Sequence, residues 1–520
     1  MSRTGNRLLR EWPLGFVFGC IFFMLHPMLH ADFGLIDDHE IISILGRDNA
    51  VNKSEFFPLI GEYAIEHNGR FRPGYYVLWI VEAFFVGSNA GLWYANRVLF
   101  ALVSALALYV ALRMLLHPLP AGVVTLLFFS GAQNEIWIRL GTAECYGVPL
   151  LLVGVAWIAV QLQRHKWRPA QLFPGFALLL LAGFMKESFI PVLPAAVVFT
   201  YIVIPCFFTF VIPDRYQLKR LDVLMLFLLM SGLAAQTVLT VTMLRTYGHQ
   251  YASEISMISF LAAIKPMLES YSKSTLWFVP VAVGLVTLLP RNPRELREQG
   301  WRRGLMKLTV LLTVSGVLIL GPQLFLHGGD LGFAGRYLIP GNLFIVLAAA
   351  LGFYSLSSSF AQGNHAELRG VVAGMLIVVA LSWVLGTYRE ANAAAHSTHK
   401  FQAKLAEIVR LKTQHPELPL LFYSTDVFDR EPLISVASYL ATRLPTLERP
   451  FLNTFHWETG ADSLRKIKLA KLIREESVEG DKFFAKISSF PATDGQCIAV
   501  IFSGFRENFQ CDYSVRIAES

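Results

Sequence analysis

Residues 12–40 read WPLGFVFGCIFFMLHPMLHADFGLIDDHE, and this stretch decides the fold. Its first part, Trp12–Leu29, is an apolar run nearly long enough to cross about 30 Å of hydrocarbon as a helix. Arg3, Arg7 and Arg10 precede it. That order resembles a secretory signal, but no small-x-small cleavage site follows, so the run is read as a retained signal anchor. Straight after it come Asp37-Asp38-His39-Glu40. Charge so close to a membrane is costly unless it is used.

The rest of the chain has the same character. It has 520 residues, 54% hydrophobic and 16% charged. Its mean hydropathy is +0.48. Soluble domains rarely combine these values, so the composition is that of an integral membrane protein. The net charge of +7 does not point to nucleic acid, because the basic residues fall in short clusters between apolar runs. Long apolar runs occur at 12–30, 91–116, 146–162, 188–212, 222–244, 305–326, 337–357 and 370–388, with shorter ones at 74–87, 119–134, 171–185 and 275–290.

Lys and Arg collect on the cytoplasmic side. The basic loops are Arg164–Arg168, Arg215 with Lys219 and Arg220, and Arg291–Lys307. All fall inside with the N-terminus if 74–87 lies in the interface and the other short runs cross. The expected fold is then an α-helical integral membrane protein of about eleven spans, GT-C-like in the sense given below. Residues 1–389 form the transmembrane domain, with an external loop at 31–90 that holds the interfacial helix. Residues 390–520 carry many charges and no spanning run. Leu418–Ser424 and Ile498–Phe502 look like buried strands, and Leu433–Ala441 like a helix. This tail is read as a small extracytoplasmic α/β domain. Cys497 and Cys511 lie within it, and a bridge between them is expected if Asp512–Arg516 returns beside Ile498–Phe502.

On this topology the polar residues with the least structural excuse share one face. Asp37 and Asp38 repel each other, so one holds a proton or both share a cation. Either state suits a general base; the alternative is a pair of acids favouring a helix N-terminus before Ile41. Arg70 and Arg72 offer planar forks matched to phosphate, or else snorkel to head groups. Glu135, Arg139 and Glu144 lie in one turn and Lys186-Glu187 in another. Each is a functional candidate, or half of an internal Lys186–Glu187 or Arg139–Glu144 bridge. Arg336 and Tyr337 open a helix from the same side, where simple anchoring is the alternative. His26 and His30 read as interfacial histidines rather than metal ligands, with Pro27 disturbing the helix between them. There is no Cys-x-x-Cys, no P-loop and no dinucleotide fingerprint.

Taken in order, these segments resemble the GT-C superfamily of polytopic membrane glycosyltransferases, including its protein O-mannosyltransferase-like branch. The resemblance rests on several stretches: Asp37-Asp38; Arg72-Pro73 through Asn96-Arg97; Gln133-Asn134-Glu135; Met185-Lys186-Glu187; and Arg336-Tyr337-Leu338-Ile339-Pro340. It covers roughly 12–390, and departs from the pattern in having Gly131-Ala132 where many relatives have His-Pro. The family resemblance implies transfer of a sugar from a polyprenyl-phosphate donor to an acceptor (glycan, lipid or protein) on the extracytoplasmic face. It implies a place in the bacterial inner membrane, N-terminus cytoplasmic and C-terminus periplasmic. Asp37, Asp38 and Glu40 would be catalytic. Arg72, Lys186, Arg336 and Tyr337 would bind the donor phosphate, with Arg70, Glu135, Arg139, Glu144 and Glu187 lining the site. No cofactor is required, and a divalent Mg or Mn ion at Asp37 and Asp38 is left open. The rival readings are a transporter or flippase for a lipid-linked glycan, and a non-catalytic envelope-assembly protein. A transporter should show two related halves with broken helices, and the sequence has no such internal symmetry.

Overall fold

The structure is a computed structural model. It describes residues 11–34, 38–46, 48–63, 71–114, 116–130, 134–162, 169–198, 220–247, 336, 339–341, 344, 366–416, 420–424, 435, 436, 439, 440, 496–505 and 511–519. Helix α1 (Trp12–Leu25) runs into a 3-10 turn, His26–His30. Next come α2 (Asp38–Leu45), α3 (Phe56–Gly61), α4 (Pro73–Val86) and α5 (Ala90–Arg113). After them come α6 (Pro118–Phe129), α7 (Glu135–Ile138), α8 (Glu144–Leu162) and α9 (Pro169–Met185). The last helices are α10 (Val192–Val198), α11 (Arg220–Tyr247) and α12 (Ala366–Gln414). Strands β1 (Leu420–Ser424), β2 (Gln496–Phe505) and β3 (Cys511–Glu519) close the chain.

Local chemistry sets several of these boundaries. Proline opens α1, α4 and α6, where a missing N–H costs nothing. Asn89 caps α5, its Oδ1 accepting from the Leu92 N–H at 3.1 Å. The α-helical path of α1 gives way to 3-10 geometry just where Pro27 removes a donor.

Among the described residues, three helices are long and apolar enough to cross a membrane: Trp12–His30, Ala90–Arg113 and Glu144–Leu162. Pro73–Val86, Pro118–Phe129 and Ala170–Met185 are apolar but shorter. The runs expected to span at 12–30, 91–116, 146–162, 171–185, 222–244 and 370–388 each coincide with a helix. The 119–134 run stops being helical at Phe129. The runs at 275–290 and 305–326, and most of 188–212 and 337–357, lie outside the described residues, and with them the expected total of spans. The outer surface is apolar. Leu92, Leu99, Val103 and Leu106 recur on one side of α5 and are all exposed, while Trp93, Ala101, Ala105 and Leu108 face inward. A helix apolar on both sides suits a lipid surround. The protein is a multi-pass membrane protein.

The helices alternate in direction, so their ends gather at two poles. At one, Glu11 accepts from Tyr109 at 2.6 Å and from Arg113 Nη2 at 2.9 Å, tying the start of α1 to the end of α5. At the other lie the ends of α1, α6 and α9, the starts of α5 and α8, and the middle of α12. Helices α8 and α9 approach each other through glycine. A Cβ on Gly154 would sit 2.8 Å from the Gly175 carbonyl oxygen, and one on Gly175 only 2.6 Å from Ile158 Cγ1. Small residues let backbones approach where lipid tails supply no hydrophobic drive.

Helix α12 is 49 residues long. It carries the expected 370–388 span and continues without a break across the 389/390 division expected from composition. Beyond it β1 pairs parallel with β2, and β2 antiparallel with β3, in the order β1-β2-β3. The strands expected near 418–424, 498–502 and 512–516 are present. The expected disulfide is not compatible with their register. Cys497 lies opposite Ala518, and Cys511 opposite Phe505, at the other end of the ladder. Eight residues of strand separate the two positions by roughly 26 Å, against the 7 Å a bridge tolerates.

Gly175→Ala is expected to overpack the α8–α9 contact and lower stability by about 1–3 kcal/mol, read as a fall in melting temperature in detergent. Gly15→Ala, which meets nothing within 4 Å, serves as the control and should leave the melting temperature unchanged. A pH effect is expected at the other pole. The Arg113 hydrogen bond, outweighing partial burial, holds Glu11 below its ordinary value of 4.5. The folded state is therefore stabilised above pH 4.5, and the gain disappears as pH falls through the lowered value. The stability difference between wild type and Glu11→Gln should shrink toward zero in acid.

Candidate functional site

The turn that leads to α2 is anchored by α12. The Asp32 N–H donates to Thr398 Oγ1 at 3.0 Å, and Gln402 Nε2 donates to the Phe33 carbonyl at 2.6 Å. His399 Nδ1 meets Asp32 Oδ2 at 2.8 Å. The Tyr439 hydroxyl donates to the Gly34 carbonyl at 2.8 Å. The Gly34 N–H in turn donates to Asp38 Oδ2 at 2.7 Å. Asp38 is the first residue of α2 and is buried. A cleft of about 440 Å³ opens beside this turn, between Ala31–Phe33, Ser88–Gly91 and Gln402.

Across the same pole lies a network of charges drawn from four segments. Arg72, just before α4, places Nε and Nη2 each 2.8 Å from Glu187 Oε2. Lys186 is buried and pairs with Glu144, the first residue of α8. Arg139 Nη1 lies 2.7 Å from Glu135 Oε1, and Arg336 Nη1 reaches the same oxygen at 3.8 Å. Arg336 also lies within electrostatic reach of Glu144. Among the described residues, four cations thus meet three carboxylates in this network. Burial works against the Arg72 charge, but the Glu187 carboxylate outweighs it and raises the guanidinium above its ordinary value. Asp38 and Arg139 both act electrostatically on the Tyr94 phenol, so the acidic turn and the cationic network lie within reach of one side chain.

No family model matches the sequence, and no curated protein does. The crystal structure of ArnT from Cupriavidus metallidurans bound to undecaprenyl phosphate aligns with 96% of this chain and 94% of its own. The TM-score is 0.51 at 14% identity. The chain therefore shares the fold of ArnT. ArnT from the same organism in the apo state aligns over the same shares at 14% identity, with a TM-score of 0.47.

Within this fold, the expected residues Arg72, Lys186, Arg336, Glu135, Arg139, Glu144 and Glu187 come together. Their partners differ from those expected. Neither a Lys186–Glu187 nor an Arg139–Glu144 bridge forms; Lys186 takes Glu144, Glu187 takes Arg72, and Arg139 takes Glu135. The physical reason is direction. Lys186 is extended and Glu187 begins a 3-10 turn, so neighbours in sequence point to different segments. Glu40 is half-buried in α2 and acts on Tyr63, whose phenol is raised by burial and by Glu40 and Glu62. Asp37, Arg70 and Tyr337 lie outside the described residues. His26 stacks on Tyr388 and Phe22. Among the described residues no group of three His, Cys, Asp or Glu side chains is placed to hold a metal ion.

Two further polar clusters were not expected as pairings, although Asn134 and Asn96-Arg97 stand in stretches that carry the resemblance. Asn134 Nδ2 donates to Glu390 at 2.5 Å and to Thr387 at 3.2 Å, fastening α7 to α12. Glu82 and Arg97 pair in the interior, joined by Asn96 and Tyr146. The signal for the second was present: one acid and one base, each inside an apolar run, require a partner.

Removal of Glu187 is expected to be severe, because Arg72 is only 12% exposed. Breaking one side of a buried pair costs about 3–5 kcal/mol. Glu187→Ala should therefore lower the melting temperature more than Arg72→Ala plus Glu187→Ala together. A double-mutant cycle should return a coupling of roughly 0.5–3 kcal/mol; additive losses would show that the contact carries no energy.

Proposed function

We propose that the protein is a glycosyltransferase of the GT-C type. It moves a sugar from a polyprenyl-phosphate donor to an acceptor on the extracytoplasmic face of a bacterial inner membrane, with its N-terminus cytoplasmic and its C-terminus periplasmic. The observation that carries this reading is the cationic network at the pole that also holds the acidic turn before α2. The similar structure of ArnT, which holds undecaprenyl phosphate, supports a lipid phosphate as the anion.

Arg72, Lys186 and Arg336 hold the donor phosphate, with Tyr337 and Arg139 beside it. Their carboxylate partners keep these cations in place before the ligand arrives. One of Asp37 and Asp38 takes the proton from the acceptor. The acceptor oxygen or nitrogen then attacks the anomeric carbon. The bond from that carbon to the phosphate oxygen breaks, and the polyprenyl phosphate leaves with the electron pair. Cations fixed around the leaving phosphate act where charge develops. The reaction as written needs no redox cofactor, and a divalent ion at the two aspartates would assist the same step.

The test is transfer from labelled polyprenyl-phosphate sugars in membranes that contain the protein. Loss of a general base costs about 10²–10⁴-fold, so one of Asp37→Asn and Asp38→Asn should fall that far. Asp38→Asn should also melt earlier, since its carboxylate holds the Gly34 turn. Full activity in both variants removes the proposed base, and no transfer from any polyprenyl-phosphate sugar removes the proposed function.

A further inference from the structure

Glu82 and Arg97 lie behind the network and touch none of the groups assigned above. Arg97 is fully buried in α5. Its Nη2 donates to Glu82 Oε2 at 3.0 Å, to the Tyr146 hydroxyl oxygen at 2.9 Å and to the Leu140 carbonyl at 3.3 Å. Asn96 Nδ2 donates to the other Glu82 oxygen at 3.0 Å, and the Tyr146 hydroxyl donates to Glu82. The guanidinium lies 4.6 Å from the Tyr146 ring centre and under 6 Å from those of Trp93 and Phe100. Yet among the described residues Arg97 Nε and Nη1 have no hydrogen-bond partner. A buried pair left partly unsatisfied is a poor way to stabilise a bundle, and apolar side chains of similar volume often do it better.

The geometry shows what the pair does instead. Leu140 stands just before the turn that enters α8, and Tyr146 stands in the first turn of α8. Arg97 therefore grips both ends of the segment that carries Glu144. Two further bonds fix the segment between: the Tyr75 hydroxyl donates to the Gly141 carbonyl at 3.0 Å, and Thr142 Oγ1 to the Ile136 carbonyl at 3.1 Å. Glu144 then meets Lys186 from a held backbone. We propose that Glu82 and Arg97 are positioning residues, a buried clamp that sets the 140–146 turn so that Glu144 presents Lys186 to an anionic ligand. The ligand half of this statement rests on the function proposed above; the clamp does not.

Two variants separate positioning from plain support. Arg97→Lys keeps the charge, but its ammonium ends one bond short of the place where Nη2 meets its three acceptors. The double variant Glu82→Leu with Arg97→Met removes both charges and keeps the volume. The first measurement needs no ligand: the rate at which Lys186 is acylated by an amine-reactive reagent in detergent, read by mass spectrometry. Both variants should label on the order of tenfold faster, from local opening of the turn, with the double variant melting near wild type. The second measurement is affinity for undecaprenyl phosphate, which should weaken by about tenfold in both. Unchanged Lys186 labelling in both variants overturns the clamp. So does unfolding of both, because the pair then holds the bundle and not the turn. Faster labelling together with a wild type that has no affinity for undecaprenyl phosphate leaves the clamp standing and removes the ligand.

Discussion

A charge taken out of water must be met by another charge, and in this molecule the two rarely come from the same segment. Lys186 and Glu144 are 42 residues apart, and Arg72 and Glu187 are 115 apart. Each pair therefore acts as a long-range tie. Together they draw the start of α4, the start of α8 and the end of α9 to one pole, and Arg336 brings in a segment from much later in the chain. If the cations had been neutralised by their own neighbours, the apolar helices could still pack, but nothing would specify which of their ends should meet.

Helix α12 supplies the second constraint. Polar contacts from Thr387 to Gln402 fasten it to α7 and to the turn at Asp32–Gly34. The acidic turn thus owes its shape to residues hundreds of positions away. Local sequence alone would leave it an unspecified connection between a membrane helix and the short helix α2.

The apolar runs were legible because crossing hydrocarbon demands a continuous stretch of a set length, and that demand is written in consecutive residues. The convergence of Arg72, Glu135, Lys186 and Arg336 was legible through topology, once the basic loops had been assigned to one side. The pairings were not. Lys186 and Glu187 are adjacent, and only the extended backbone at Lys186 sends the two side chains to different partners. Glu82–Arg97 was missed because each residue, read alone, looks like an interruption in a greasy helix; the pair exists only after α4 and α5 fold back together. The 389/390 division marks a real change in composition, but a helix keeps its hydrogen bonds whether lipid or water surrounds it, so α12 passes straight through. The strands near Cys497 and Cys511 were found, yet which residues face one another depends on register, which no spacing along the chain records.

The length of α12 has a mechanical side. At about 1.5 Å per residue its 49 residues extend roughly 74 Å, more than twice the thickness of the hydrocarbon layer. One part is embedded with α1 and α6; the rest runs on past the turn at Asp32–Gly34, burying Phe401, Leu405 and Ile408, with the strands close to its far end. A rod of that kind converts rotation into travel. A tilt of about 10° about its embedded part moves a point some 40 Å farther along by roughly 7 Å. Thr398 and Gln402, which grip Asp32 and Phe33, lie roughly 15–21 Å beyond the end of the embedded part, so the same tilt carries them by about 3 Å. A swing of the far end is therefore passed to the acidic turn at roughly half its size.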